Sequence, residues 1–186
     1  EVATATFHGF AQQIINLYGL EIGVTPCAPL LSEVELWLLM NREFERFGFL
    51  KYYRPHGNPT KFLRAIIKHV MRAKDENISV AQYREFAENF KLNSDSDVVA
   101  GEEAVRWNEL AECYATYQAI MLEKGYMDFG DLMLYANRIV AERPSARARL
   151  QARYKFIVVD EFQDTNMAQY DLVRALLGPA QNITVV

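Results

Sequence analysis

Cysteine is scarce in this chain: of 186 residues, only Cys27 and Cys113 carry a thiol. They lie far apart, with no CxxC pair and no histidine at ligand spacing, which excludes a disulfide-framed scaffold and a zinc ribbon. Both are expected to be reduced and buried, as in a cytoplasmic protein. Long apolar runs are missing as well. Residues 36–40 form one of the longest, far too short to span a bilayer, so no membrane partner is expected. The amino terminus shows no basic stretch leading into an apolar core, so it does not read as a signal peptide. Neither Gly-Lys-Ser nor Gly-Lys-Thr occurs, and the glycine-rich loop that cradles phosphates is therefore not encoded here. Internal repeats and low-complexity tracts are also absent.

What remains is the composition of a globular protein, 51% hydrophobic and 24% charged, with enough length for one domain or two small ones. The net charge of −4 is unevenly spread. From Arg46 to Lys74 there are eight lysines and arginines and no acid, while the remaining 12 basic and 24 acidic residues leave −12. Lys61, Arg64, Lys68 and Arg72 follow one another at steps of three, four and four. On a helix they share one face, opposite an apolar stripe of Phe62, Leu63, Ile66, Ile67, Val70 and Met71. Such a stripe is ordinarily solvated surface, but its concentration within an acidic chain suits phosphate neutralisation.

The first residues, 2–7, are β-branched and aromatic and predict a strand, with a helix over 9–18 after a turn near Phe7-His8-Gly9. Residues 19–29, with Gly23, Pro26 and Pro29, read as a connector. From there to Gly125 the pattern is helical. Ser32 with Glu35 and Ser79 with Gln82 have capping-box spacing. Asn58-Pro59 has the form of an N-cap followed by proline at the first helical position. The polar stretch 93–97 reads as a loop, and a long helix carrying Trp107, Tyr114, Tyr117 and Met121 stops near Gly125. Asp128 and Asp131 then open a helix ending near Pro144, and a short helix over 146–152 follows.

Four apolar residues, Phe156-Ile157-Val158-Val159, lead directly into Asp160-Glu161-Phe162-Gln163-Asp164-Thr165-Asn166. The run predicts a strand buried on both faces, as in a parallel α/β sheet, with carboxylates at its carboxyl end, where ligands bind such sheets. The plain alternative is a polar loop with a capping residue, and for Thr165 and Asn166 capping is the leading reading. An amphipathic helix over 166–177 and an apolar strand at 183–186 complete a βαβ unit, with the right-handed crossover such units take.

The word from Asp160 to Asn166, with Gln169 beyond, resembles motif II of the UvrD/Rep/PcrA group of superfamily 1 DNA helicases. Thr4-Ala5-Thr6-Phe7-His8-Gly9-Phe10 resembles motif Ia of the same group, and residues 126–133 are similar to its DFDDL segment, with Gly130 where the family has Asp. The resemblance implies a RecA-like α/β core of three parallel strands, built from residues 1–20 and 126–186 and interrupted by a helical insertion over 21–125. It implies that Asp160 holds Mg²⁺, that Glu161 polarises the water attacking ATP, and that Gln163 and Asp164 couple the nucleotide and DNA sites. Thr165, Asn166 and Gln169 would brace the motif, with Asp128 and Asp131 structural. Thr6, Phe7 and His8 would touch single-stranded DNA, Phe7 offering a ring face to a base. Lys61, Arg64, Lys68 and Arg72 would face duplex DNA.

On this resemblance the chain is an internal fragment of a 3′ to 5′ DNA helicase. The phosphate loop would lie upstream and the second motor core downstream. The fragment is expected to be inactive and to bind no ATP or Mg²⁺ by itself. The other motor domains are its expected partners, with self-association through an exposed sheet edge. A helicase-nuclease subunit and a non-enzymatic helical DNA- or partner-binding module remain alternatives.

Overall fold

The computed structural model describes residues 2–48, 50–93, 98–179 and 181–186, with 92–93 and 98–100 in backbone only. The expected loop at 93–97 falls almost wholly outside the described residues. Eight α-helices and one pair of parallel strands are formed among them. None of these helices is long and apolar enough to cross a membrane. The chain divides into two compact units.

The first unit comprises Glu1–Pro29, Lys74–Asn77 and Phe129–Val186. Its first helix, α1 (Phe7–Tyr18), begins where Thr6 turns its hydroxyl onto the Gly9 N–H at 3.1 Å. Residues 2–6 are exposed and pair with no strand, so the strand expected over 2–7 is not formed in this chain. β-branched residues favour extended backbone, but a strand exists only where a neighbour completes its ladder. Ala11, Ile14 and Ile15 are buried on α1, which packs on α6 (Phe129–Glu142). That helix buries nine of its residues and also packs on α7 (Pro144–Arg153) and α8 (Met167–Leu176).

Polar side chains close the helix ends of this unit. Gln151 donates to the carbonyls of Ala175 and Leu177, acceptors left over at the end of α8. Asn137, buried, donates to the Ala168 carbonyl at 2.7 Å. β1 (Ile157–Val159) and β2 (Ile183–Val185) pair in parallel, Ile157 opposite Ile183 and Val159 opposite Val185, on either side of α8 in sequence. Burial on both faces of β1 is not met. Val159 is 6% exposed and Val158 71%, because in this chain cover is supplied to one face only.

The second unit comprises Leu30–Ala73 and Ile78–Asp128. The capping box at Ser32 and Glu35 opens α2 (Glu33–Arg42), and the two hydrogen bonds from Ser32 hold the Glu35 carboxyl below its usual range. α3 (Leu63–Asp75) starts four residues after Pro59, because 58–63 form turns with i to i+3 bonds from Lys61 N to Asn58 O and from Leu63 N to Thr60 O. α4 (Val80–Asn93) is opened by the reciprocal Ser79–Gln82 bonds, and α5 (Val98–Lys124) runs for 27 residues. Gly125, at φ 70°, takes the left-handed turn that a side chain resists. The core joins Leu36, Met40 and Phe47 to Leu63, Ile67, Val70, Tyr83, Tyr114, Tyr117 and Met121.

Burial also corrects the cysteines. Cys113 is buried and its thiol is pushed up to about 12, so it stays protonated, whereas Cys27 is exposed.

Candidate functional site

The acidic word of the sequence forms one turn. β1 ends at Val159, and Asp160 and Glu161 emerge from it exposed and adjacent. The Asp160 carboxylate accepts from the Glu161 N–H at 3.1 Å, and Glu161 accepts from the Gln163 side-chain amide. Residues Phe162–Asp164 then form one 3-10 turn. Asn166 caps α8, its Oδ1 accepting from Gln169 N at 3.0 Å while Gln169 Oε1 accepts from Asn166 N at 3.4 Å. Thr165 is half-buried between the two, and Asp164 is exposed.

Glu161 has φ 54° and ψ 43°, the left-handed conformation that costs a residue with a side chain about 1–2 kcal/mol. It is held from the strand side by two bonds to the last residue, Val186 N to Val159 O at 3.0 Å and Phe162 N to Val186 O at 2.9 Å. The helix side holds it through Asp164 N to Glu161 O and Thr165 N to Phe162 O, at 3.0 and 3.1 Å. The backbone thereby sends successive carboxylates out of the strand end, where a strictly extended chain would alternate them.

Thr6, Phe7 and His8 come together at the start of α1. The Thr6 hydroxyl is engaged as the N-cap, Phe7 is half-buried, and His8 meets the Phe129 ring edge-on at 5.6 Å. The basic residues lie in the second unit. Lys61 precedes α3, its ammonium 5.4 Å from the Phe62 ring centre, while Arg64, Lys68 and Arg72 are exposed along one face of the helix.

The eight basic residues are not all unopposed. Arg46 pairs with Glu123 at 2.8 Å, Arg54 with Glu45 at 3.2 Å, and Lys74 with Asp131 at 2.7 Å. Acids distant in sequence supply what the segment itself lacks. Asp128, fully buried, accepts from the Tyr117 hydroxyl at 2.7 Å.

Two groups of residues had no site role in the sequence reading, which counted Lys74 only as the end of the basic segment. Lys74, Asp75 and Asn77 belong to the first unit, where they bond Asp131, Asn166 and Asp171. Lys74 does carry a signal, since Leu63, Ile67, Val70 and Lys74 recur at steps of four, three and four on the apolar stripe of α3. In the second unit Glu109, 8% exposed, accepts from the N–H groups of Lys51, Tyr52 and Tyr53.

Among the described residues no group of three or more His, Cys, Asp or Glu side chains is placed to hold a metal ion. The donors at the turn instead suit Mg²⁺, which commonly takes one or two protein carboxylates and completes its shell with phosphate and water.

The family model of the UvrD/REP helicase N-terminal domain matches residues 1–186, and the chain belongs to that family. Among its relatives, the ATP-dependent DNA helicase Rep of Salmonella typhimurium is 33% identical over 80% of this chain and 22% of its own length. The ATP-dependent DNA helicase PcrA of Leuconostoc citreum is 28% identical over 100% of this chain and 22% of its own. A probable DNA helicase II homolog of Rickettsia felis is 40% identical over 93% and 26%. The chain thus spans about a quarter or less of the length of these relatives.

Proposed function

We propose that the chain supplies part of the nucleotide site and a DNA-facing helical subdomain to an ATP-dependent 3′ to 5′ DNA helicase. The observation that carries this reading is the pair of exposed carboxylates at the end of β1, with Glu161 held left-handed by bonds on both sides. Asp160 would hold Mg²⁺, which would supply positive charge to offset that of the nucleotide phosphates. Glu161 orients the attacking water and takes its proton, and Gln163, bonded to that carboxylate, fixes its rotamer. Asp164 and Thr165 link this turn to the capped α8. Asp128 and Asp131, both fully buried, are structural residues.

The two strands would be part of a RecA-like sheet completed by residues outside this chain, and residues 2–7 become a strand when a neighbour supplies the ladder. Thr6, Phe7 and His8 would meet single-stranded DNA. Lys61, Arg64, Lys68 and Arg72 would neutralise duplex phosphates.

In the longer protein that carries this chain, Glu161→Gln is expected to keep ATP affinity and lower DNA-stimulated hydrolysis by about 100-fold or more, the scale of a lost general base. Turnover within threefold of the parent would refute the role. Replacing Arg64, Lys68 and Arg72 with glutamine should reduce the slope of log K against log salt for duplex binding by about 2–3. An unchanged slope would remove them from the DNA face.

A further inference from the structure

We propose that Asp75 is a positioning residue for the turn at 160–165, acting through the side chain of Asn166. This rests on the reading of that turn as a hydrolytic site, and it names a residue that no motif contains. As an N-cap, Asn166 accepts through Oδ1 from Gln169 N at 3.0 Å, a task that serine, threonine or aspartate would perform equally well. Only asparagine adds an N–H donor, and Nδ2 spends it outside the turn, on Asp75 Oδ1 at 3.1 Å. The cap is thereby tied to a segment 91 residues earlier in the chain.

That segment is itself fixed. Lys74, fully buried, bonds Asp131 on α6 at 2.7 Å, and Asn77 Nδ2 donates to Asp171 on α8 at 2.9 Å. Asp75 stands between these two anchors, so it holds Asn166 rather than following it. Four residues separate Asn166 from Glu161, whose left-handed backbone persists only while both flanks are constrained. The strand flank has its bonds to Val186, and on the helix flank the constraint passes through the 3-10 turn to Asn166 and from there to Asp75. Releasing that bond frees one side of the turn without touching a group that meets nucleotide.

The test compares Asp75→Ala, Asp75→Asn, Asn166→Ser and the double variant D75A/N166S in the longer protein. Asn166→Ser keeps a capping oxygen and removes the amide N–H that reaches Asp75, for which the serine hydroxyl is too short; Asp75→Asn keeps an acceptor oxygen. Two readouts are used: amide exchange over 161–169 by mass spectrometry, and DNA-stimulated ATP hydrolysis. D75A and N166S should each speed exchange of the turn and lower kcat about tenfold, the scale of one lost charge-assisted hydrogen bond, with KM for ATP within twofold. D75N should restore both, and D75A/N166S should be no worse than the poorer single variant, since both break the same bond.

Unchanged exchange overturns the proposal, as does kcat within twofold of the parent in both single variants, or a multiplicative double variant. If the parent shows no DNA-stimulated hydrolysis, the helicase reading fails, and exchange alone decides the clasp.

Discussion

Lys74→Met should destabilise the first unit by about 3–5 kcal/mol, the cost of stripping the partner from a buried charge. The structure sets the magnitude. Both side chains of the Lys74–Asp131 pair are 0% exposed and their atoms meet at 2.7 Å, so neither water nor salt screens the pair. Methionine fills nearly the same volume as the lysine stem, which removes a cavity term and leaves electrostatics as the main change. At roughly 2–4 °C per kcal/mol for a chain of this size, the unfolding midpoint should fall by roughly 6–20 °C. Because Trp37 and Trp107 both lie in the second unit, their fluorescence reports that unit, and amide exchange along α6 reports the first.

K74M should accelerate exchange in α6 well beyond any change in the tryptophan transition. Adding D131N to K74M should recover more than half of the loss, since it removes the buried negative charge that Lys74 offsets. A K74M cost below about 1 kcal/mol, or strictly additive losses in the double variant, would refute the assignment of a coupled buried pair.

Glu109→Ala should cost about 2–4 kcal/mol in urea denaturation followed by tryptophan fluorescence, because it strands the N–H donors of residues 51–53; Glu109→Gln, which keeps one acceptor, should fall between. His69 sets a pH dependence. Burial lowers its pKa below the ordinary 6.5, and its Nε2 lies 2.6 Å from the Tyr83 hydroxyl, itself raised by burial. Below pH 6.5 the unfolded chain therefore binds the proton more readily than the folded one. Stability is full above that pH and declines as pH falls toward the folded pKa, by at most about 1.4 kcal/mol per unit. Subtracting the profile of His69→Gln should isolate this decline; identical profiles would contradict it.

The local features were legible in the sequence. Ser32 with Glu35 and Ser79 with Gln82 cap their helices because a reciprocal bond over three residues needs nothing beyond the segment itself. The Gly125 stop could be read for the same reason, and the two strands because their βαβ spacing supplies each with a partner. Thr6 shows the limit: the threonine that favours a strand also caps a helix, and in the absence of a ladder partner the cap wins.

The basic segment misled in another way. Counting charge from Arg46 to Lys74 cannot register Glu123 or Asp131, whose pairing is made by the fold. Asp75 gave no signal at all, because its role is defined by a bond to Asn166 across 91 residues. The acidic turn was legible as a pair of carboxylates at a strand end, but the left-handed Glu161 was not, since strain at a single residue leaves no pattern.

The three-part makeup of the first unit sets an order of events during synthesis. Its helix α1 leaves the ribosome well before α6, the surface it packs on, which begins only at Phe129. The second unit has all its residues once Asp128 has emerged. α1 must therefore wait, its apolar face uncovered, while about a hundred residues are added at 5–20 per second, a delay of roughly 5–20 s. The intervening unit, once folded, shortens the loop that must close, replacing a long flexible excursion by a compact one with nearby ends. A chain slowed between Pro29 and Asp128 would prolong the interval in which Ile14 and Ile15 are exposed, which makes that stretch the window for chaperone capture or aggregation.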